Sequence, residues 1–396
     1  MTAVERSGSA LMPTYVRYAV TLVRGHGTRV WDDRGNVYLD FAGGIAAMPL
    51  GHSHPAWVRA VTEQASTLTH VSNLFATEPQ ERLATRLTEL AEFGQVFLAN
   101  SGAEANEAAL KIVRRYGRAH GRLEVVALDG SFHGRTFATL AATGQPAKHA
   151  PFAPLPEGFA HVPPGDVEAL DAAVGPQTAA VLVEPVLGEG GILPLDREYL
   201  AFARALCDER GALLVIDEVQ TGIGRCGSWF AFQRLGVRPD AFTLAKGLGG
   251  GLPIGACVAR EDLAFGPGEH ASTFGGGPIP CAAALGVLDT IESEGLLDNC
   301  VLRGKELIEG LAECGAVGST AVRGMGLLVG VEFEDDRASS VVRSLMAHGF
   351  LATEAGPRVV RLAPPLSVGA EDVAKLVAAF PVAAREAVHA SAREAS

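Results

Sequence analysis

The sequence predicts an α/β fold whose large domain is built on a buried, mostly parallel sheet. Three observations support this: short apolar runs alternate with helical patterns, the runs are apolar on both faces, and no repeat or low-complexity segment interrupts the chain. Because helices cover both faces of a parallel sheet, its strands appear in a sequence as continuous apolar runs. Alternation of such strands with helices is typical of layered α/β proteins.

The strands of this sheet are predicted at six runs rich in Val, Leu and Ile. They are residues 95–99, 124–128, 179–184, 212–217, 241–245 and 255–259. Helical patterns lie between them, for example at residues 104–116 and 199–210. The chain of 396 residues is long enough for two or three domains.

The chain changes character after about residue 285, where a smaller α+β domain is predicted. A helical stretch near residues 300–314 precedes the strand patterns, and an Ala-rich helix begins at Glu371. The strand patterns lie at residues 326–334, 349–353 and 359–362. Residues 27–41 form a strand–turn–strand pattern with the turn at 33–36, and the sequence leaves open which domain they join.

Composition and charge exclude several classes of partner. A net charge of −12 argues against nonspecific binding to nucleic acid or to an anionic membrane. The six cysteines form no C-x-x-C pair, which indicates reduced thiols. Residues 1–13 lack the basic start and apolar run of a signal peptide, and no apolar run is long enough to span a bilayer. The predicted location is therefore the cytoplasm.

Lys246 follows an apolar strand and opens a glycine-rich loop at residues 247–251. Most lysines are solvated surface groups, but a strand end lies at the edge where open α/β sheets bind ligands. Glycines allow the backbone to approach a bound group closely. A partly desolvated amine loses its proton more easily and can then attack a carbonyl group.

Asp217 ends another apolar run, at residues 212–217. A carboxylate at this position is a helix cap, a metal ligand or the partner of a buried cation. With Lys246 at a second strand end, a protonated pyridinium ring is a suitable cation. Such a carboxylate keeps the ring nitrogen charged, which makes the ring an electron sink.

Four further segments follow strand ends or lie late in the chain. Residues 99–106 contain a Ser-Gly turn before a helix, which is either a plain N-cap or a phosphate site. In the segment 131–136, Phe132 could stack on a planar ring and Arg135 could bind a carboxylate through two of its guanidinium nitrogens. Glu189 lies in a Gly-rich segment after a strand, and Arg361 lies in the C-terminal domain.

Two other motifs are rejected. Residues 222–227 fit G-x-G-x-x-G, but they lie too far from the strand end and no clear helix follows, so a dinucleotide site is not expected. His52 and His54 have no second pair of ligands at zinc spacing, so we interpret them as part of a turn before a helix at 57–68. No metal site is predicted.

Together these residues resemble the class III aminotransferases of pyridoxal-phosphate (PLP) fold type I, from Tyr15 to Pro365. The specific features are Asp217-Glu218-Val219-Gln220 and Lys246, at a separation of 29 residues. The resemblance implies a seven-stranded, mostly parallel sheet in the large domain and a small α+β domain from both chain ends. The implied boundaries are 1–45 for an N-terminal segment of the small domain, 46–285 for the large domain and 286–396 for the rest of the small domain.

The resemblance also implies how PLP is held. Lys246 resembles the Schiff-base lysine that also moves the proton, and Asp217 resembles the pyridinium partner. Gln220 would bond the ring hydroxyl oxygen, while Phe132 and Val219 would sandwich the ring.

The phosphate group has two implied contacts. Ser101, Gly102 and Ala103 match the phosphate loop, and only the backbone N–H is expected at Ala103, where many relatives have Thr. Thr273, in the segment 272–276, matches a threonine that reaches the phosphate of the partner subunit. The resemblance therefore implies a homodimer with shared active sites.

The implied substrate contacts explain how one site accepts two substrates. Arg135 would hold the distal carboxylate, and Tyr15 and Ser272 would also contact substrate. Glu189 and Arg361 match a pair that acts as a switch. Glu189 masks Arg361 when a terminal amine is bound, and Arg361 is released to hold the α-carboxylate of 2-oxoglutarate.

Within the family, the resemblance is to members that transfer the δ-amino group of N2-acetylornithine to 2-oxoglutarate in arginine biosynthesis. Ile45, where ornithine-specific relatives have a tyrosine, fits an acylated α-amine. Gly277 replaces a usual Asn and Cys226 a common Thr, both outside the implied chemistry. Ornithine, succinylornithine and 4-aminobutyrate remain alternative donors. An aminomutase is disfavoured by the Glu189 and Arg361 pair, and a non-catalytic PLP protein by the intact Lys246.

Overall fold

The computed structural model describes residues 10–394, which contain seventeen strands and thirteen α-helices. Most of the segment considered for a signal peptide, residues 1–9, lies outside this range. The strands are β1 Leu22–His26, β2 Arg29–Asp32, β3 Val37–Asp40, β4 Gln95–Ala99, β5 Glu124–Leu128, β6 Phe159–Val162, β7 Thr178–Val183, β8 Val186–Leu187, β9 Leu193–Pro194, β10 Leu213–Asp217, β11 Ala241–Leu244, β12 Gly255–Ala259, β13 Ser319–Met325, β14 Leu328–Phe333, β15 Phe350–Leu351, β16 Thr353–Glu354 and β17 Val359–Leu362.

The helices lie between these strands and cover the sheets. They are α1 Gly43–Ala46, α2 Pro55–Thr67, α3 Glu78–Ala91, α4 Gly102–His120, α5 Phe137–Ala142, α6 Pro146–His149, α7 Val167–Ala173, α8 Arg197–Arg210, α9 Ala231–Leu235, α10 Pro278–Ser293, α11 Leu296–Glu313, α12 Ala338–Ala347 and α13 Ala370–Glu394. None of these helices, within the part of the chain described, has an apolar stretch long enough to cross a membrane.

The largest sheet has seven strands in the order β4-β12-β11-β10-β7-β5-β6. Strand β10 is parallel to β7 and β11, and β5 is parallel to β7 and β6, whereas β12 is antiparallel to both neighbours. The predicted seven-stranded, mostly parallel sheet is confirmed, and all six predicted strands belong to it. The seventh strand, β6, had no sequence signal because it has four residues, lies at the sheet edge and contains His161.

The centre of this sheet is buried on both faces. Every residue of β7 and of β10 is buried, as the continuous apolar runs predicted. Helix α4 packs against β11 and β12, with Ser101 as its N-cap and left-handed Gly121 as its C-cap. Each buried Val or Leu side chain contributes about 1.5–3 kcal/mol to the stability of the fold, so the ends of these strands are held rigidly.

The N-terminal strands pair with the C-terminal third of the chain. Strands β1, β2 and β3 form a sheet whose fourth strand is β15, parallel to β3. The hairpin between β2 and β3 is closed by Asp32, whose Oδ1 accepts the N–H groups of Arg34 and Asn36 at 2.9 and 2.8 Å. A further sheet has the order β13-β14-β17-β16. The pairing of β3 with β15 agrees with a small domain made from both chain ends, and the exact boundaries stay a prediction.

Candidate active site

A cavity of about 410 Å³ opens where β10 and β11 end at the edge of the large sheet. Ten of the site residues predicted from the sequence line it, although they come from widely separated segments. These are Ser101, Gly102, Ala103, Phe132, Arg135, Glu189, Asp217, Val219, Gln220 and Lys246.

Lys246 lies just after β11 and has a left-handed backbone, with φ of 38°. Burial and the nearby charge of Arg361 together lower the pKa of its amine to about 8, while Glu189 opposes the shift. A left-handed backbone conformation at a non-glycine residue destabilises the fold by about 1–3 kcal/mol, and such residues cluster at functional sites. The free amine is therefore more abundant near neutral pH than for a surface lysine, as a nucleophile requires.

Asp217 is the last residue of β10 and is 3% exposed. Its Oδ2 lies 2.8 Å from Nδ1 of His133 and accepts the amide of Asn106 at 2.7 Å. Its Oδ1 accepts the backbone N–H of Val219 at 2.9 Å. The hydroxyl group of Thr243 in turn donates to the side-chain oxygen Oδ1 of Asn106 at 2.7 Å. The carboxylate therefore has a fixed position and keeps acceptor capacity on Oδ1 for a ligand.

The sequence did not identify His133 and Asn106 as parts of the site. Both are buried, and they contact Asp217 across 84 and 111 residues of chain. Their only signal was proximity to predicted motifs, because His133 follows Phe132 and Asn106 lies in the helix that Ser101 caps.

The side chain of Gln220 presents an unpaired acceptor in this site. Its Oε1 is buried and has no hydrogen-bond partner among the described residues. A buried acceptor without a partner is unfavourable by about 1–3 kcal/mol, so a ligand hydroxyl group fits there. Phe132 and Val219 supply apolar surface to the cavity. Gly102 packs closely against Val219, because a Cβ added to Gly102 would lie 2.8 Å from Val219 Cγ1.

The start of α4 provides a site for an anion. Ser101 Oγ accepts the N–H of Glu104 at 3.2 Å, and Glu104 accepts the N–H of Asn100 at 2.7 Å. The N–H groups of Gly102 and Ala103, in the first turn, have no acceptor within the helix. Together with the helix dipole they suit a phosphate. The lysine, the carboxylate, the unpaired amide oxygen and this helix start fit PLP.

Arg361 forms an ion pair with Glu189, in which the arginine is buried and the carboxylate is partly exposed. Arg361 is 2% exposed and also donates from Nη1 to the carbonyl of Gly188 at 3.1 Å and from Nε to Thr353 at 3.1 Å. Burial raises the pKa of Glu189, but the charge and hydrogen bond of Arg361 outweigh it, so the pKa is lowered overall. Glu189 lines the cavity, whereas Arg361 does not.

Two cations lie over the ring of Phe132. The Arg135 guanidinium carbon is 5.5 Å from the ring centroid and the Lys148 amine is 4.9 Å from it. Arg135 is exposed, whereas burial lowers the pKa of Lys148. Positive charge at the mouth of the cavity suits a substrate carboxylate. The sequence did not identify Lys148.

Apart from Arg361, three predicted site residues do not line the cavity. Tyr15 is 78% exposed. Thr273 is exposed and, with Ser272, lines a separate surface cavity of about 860 Å³. Ser272 Oγ accepts from Asn100 at 3.2 Å, and Asn100 lines the first cavity, so the two cavities are adjacent. The roles of Tyr15, Ser272 and Thr273 stay predictions.

The positions where the sequence departs from its relatives lie outside the cavity lining. Ile45 is partly exposed with φ of 62°, whereas Ala47 lines the cavity. Cys226 is buried, and Gly277 caps the start of α10.

The two histidines of the rejected zinc motif contact carboxylates. His52 contacts Asp40 at 2.8 Å and His54 contacts Glu294 at 3.2 Å, at the turn before α2.

Comparisons with known proteins agree on one family. The profile described as aminotransferase class-III matches residues 12–383. An acetylornithine aminotransferase from Thermosynechococcus vestitus is 50% identical over 379 residues, covering 92% of each chain. A solved N-acetylornithine aminotransferase from Stenotrophomonas maltophilia superposes with a TM-score of 0.83 at 36% identity, covering 94% of this chain and 98% of that one. A Toxoplasma gondii ornithine aminotransferase with partial occupancy of PLP at its active site superposes with a TM-score of 0.90 at 32% identity. The match covers 96% of this chain and 93% of that one.

Proposed function

Because this chain belongs to the aminotransferase class-III family, we propose that it transfers the δ-amino group of N2-acetyl-L-ornithine to 2-oxoglutarate. The products are N-acetyl-L-glutamate 5-semialdehyde and L-glutamate. Enzymes of this family use PLP. The observation that carries the proposal is the ion pair of buried Arg361 with Glu189, which lies near Lys246, because two unlike substrates must use this one cavity.

PLP supplies an acceptor for the nitrogen and an electron sink for the carbon that loses its proton. Lys246 would hold the cofactor and then take and return the proton at the reacting carbon. Asp217, fixed by His133 and Asn106, would keep the ring nitrogen protonated. Gln220 would hold the ring hydroxyl with the amide group whose Oε1 is unpaired.

Substrate selection would depend on three charged groups. Arg135, exposed at the mouth, would hold the distal carboxylate of either substrate. N2-acetylornithine reacts far from its carboxylate and has no use for a second cation. 2-Oxoglutarate has a carboxylate beside its reacting carbon, and Arg361 would bind that group after leaving Glu189.

We expect Arg361→Ala to damage the reaction with glutamate much more than the reaction with N2-acetylornithine. A lost contact to a charged group costs about 1.5–3 kcal/mol, or roughly 10–150-fold in rate. Glu189→Ala should act in the opposite direction and favour glutamate, because Arg361 would then be unmasked. Single-turnover absorbance changes of the bound cofactor with each amine measure both effects. Equal losses of both half-reactions in both variants would contradict the switch.

The donor is tested by a panel of amines. We expect single-turnover rates to be highest with N2-acetylornithine and lower with ornithine, N2-succinylornithine and 4-aminobutyrate. One pocket contact discriminates by only about 1–3 kcal/mol, so the order of rates is the decisive measurement. A faster reaction with unacylated ornithine would replace the proposed donor. The role in arginine biosynthesis and the cytoplasmic location stay predictions.

A homodimer with shared sites is part of this proposal. Thr273 lies on an exposed surface with apolar neighbours, because Phe274 is 64% and Leu74 is 88% exposed. The amide of Asn73 joins the two segments through the carbonyls of Ser272 at 2.8 Å and Gly275 at 2.9 Å. Exposed apolar patches of this kind mark protein–protein contacts and support this surface as the one that meets the partner.

Mixing Lys246→Ala chains with Thr273→Ala chains is expected to restore activity. Each hybrid dimer would contain one site with both native residues, so random mixing should give about a quarter of wild-type activity. Each variant measured alone is the control. Activity of the mixture equal to the mean of the two separate variants would show that Thr273 does not act across the interface.

A further inference from the structure

The carboxylate of Glu184 joins the two loops that form the cavity wall. Glu184 directly follows β7, is 5% exposed and lines the cavity. Its Oε1 accepts the backbone N–H of Phe132 at 2.8 Å, and its Oε2 accepts the backbone N–H of Gly188 at 3.1 Å. The first loop carries the ring of Phe132 and the second carries Glu189.

The peptide groups of Gly188 are held on both sides. Glu184 accepts its N–H, and Nη1 of Arg361 donates to its carbonyl as well as pairing with Glu189. Further along, Arg323 Nη2 donates to the carbonyl of Gly191 at 2.8 Å. If Arg361 turns away, the segment loses two contacts at once, and Glu184, Arg323 and the pairing of β8 with β9 remain to hold it.

The Gly188 position also has no free space. A Cβ added there would lie 2.2 Å from Oε1 of Gln220. A displaced Gly188 would therefore disturb Gln220 as well as Glu189. Small movements of this segment would therefore shift both Glu189, which pairs with Arg361, and Gln220, which faces the proposed cofactor ring.

We propose that Glu184 is a positioning residue for substrate choice. It holds the segment that carries Glu189 while Arg361 exchanges Glu189 for the α-carboxylate of the second substrate, so that Glu189 can recapture Arg361 afterwards. This inference rests on the exchange described under the proposed function. Without the Glu184 contact, Glu189 masks Arg361 less well, and the site shifts towards α-amino acids.

The electrostatic surroundings of Glu184 make this anchor sensitive to pH. Burial raises its pKa to about 7, with His133 lowering it and Asp217 raising it. Two amines, Lys246 and Lys148, also interact electrostatically with Glu184. Only the ionised carboxylate offers two strong acceptors, so the anchor should weaken as the pH falls through about 7.

Glu184→Gln tests the proposal, because an amide offers only one acceptor oxygen for two N–H groups. The bond to Phe132 is the shorter of the two, so Gly188 should be released. Glu218→Gln is a matched control. Glu218 is also buried with a pKa raised to about 7 and accepts the N–H of Phe232 at 2.8 Å, but it does not line the cavity.

The first measurement is the ratio of single-turnover rates with N2-acetylornithine and with glutamate. In Glu184→Gln this ratio is expected to fall about 10-fold, since a hydrogen bond to a charged group is lost. In Glu218→Gln the ratio should be unchanged. The second measurement is amide hydrogen exchange of residues 186–192, which should become faster in Glu184→Gln and not in the control.

An unchanged ratio in Glu184→Gln overturns the proposal when Glu189→Ala does alter the ratio. An unchanged ratio in both variants instead places the failure in the proposed switch. Wild-type protein gives a test that needs no variant. After correction for intrinsic exchange, the protection of residues 186–192 against amide hydrogen exchange should increase as the pH is raised through about 7. Constant protection across that range would also overturn the proposal.

Discussion

Lys246→Ala is expected to remove covalent attachment of PLP and to slow transamination by a factor on the order of 10⁴. The amine is buried at the end of β11, where its pKa is lowered to about 8. It has two proposed functions, holding the cofactor and moving the proton, and alanine can perform neither. The cavity should still bind PLP noncovalently through Asp217 and the start of α4.

Borohydride reduction followed by peptide mapping measures the attachment. Lys148→Ala is the matched control, because the Lys148 amine lies 4.9 Å from the ring centroid of Phe132, which lines the cavity, and its loss should leave attachment intact. Cofactor found on Lys148 or another lysine would show that Lys246 has been assigned wrongly. The rate of loading of cofactor-free wild-type protein gives a further check. It should rise with pH and level off above about 8, because the deprotonated amine is the reactive form and its pKa lies below the ordinary 10.5.

The residues that the sequence located correctly lie where a strong local signal ends. Asp217 ends and Lys246 closely follows a mostly apolar run that is buried at every position, and such runs mark buried strands and their ends. Parallel strands bring these ends to one edge, so the two residues could be expected to meet.

The residues that the sequence missed act through distant contacts without a periodic pattern. His133 and Asn106 bond a group 84 and 111 residues away, and nothing local distinguishes them from ordinary core polar residues. Glu184 does end a predicted strand, but its contact with Phe132, 52 residues away, has no local signal. The pair of Arg361 with Glu189 spans 172 residues and came from the resemblance. The role proposed for Thr273 involves a partner chain, so neither a local sequence pattern nor the structure of a single chain can test it.

Asp217→Ala is expected to leave the fold intact and to slow turnover by a factor on the order of 10³. A buried anion beside the ring nitrogen favours its protonated form, and each unit of pKa is worth about 1.4 kcal/mol, or tenfold. Removal of the carboxylate would lower the ring pKa by several units and weaken the electron sink. Asp217→Asn keeps the shape without the charge and should show a similar loss.

The measurement is a pH titration of the absorbance of bound PLP together with single-turnover rates. In wild-type protein the ring nitrogen should stay protonated across the neutral range, and in both variants it should titrate there. Asp240→Asn is the matched control, because Asp240 is a buried aspartate that pairs with Arg204 at 2.8 Å, away from the cavity lining. It should lower thermal stability while the turnover of folded protein is kept. Near-normal turnover in Asp217→Ala would show that another group holds the ring nitrogen, and His133, whose Nδ1 lies 2.8 Å from the carboxylate, is a candidate.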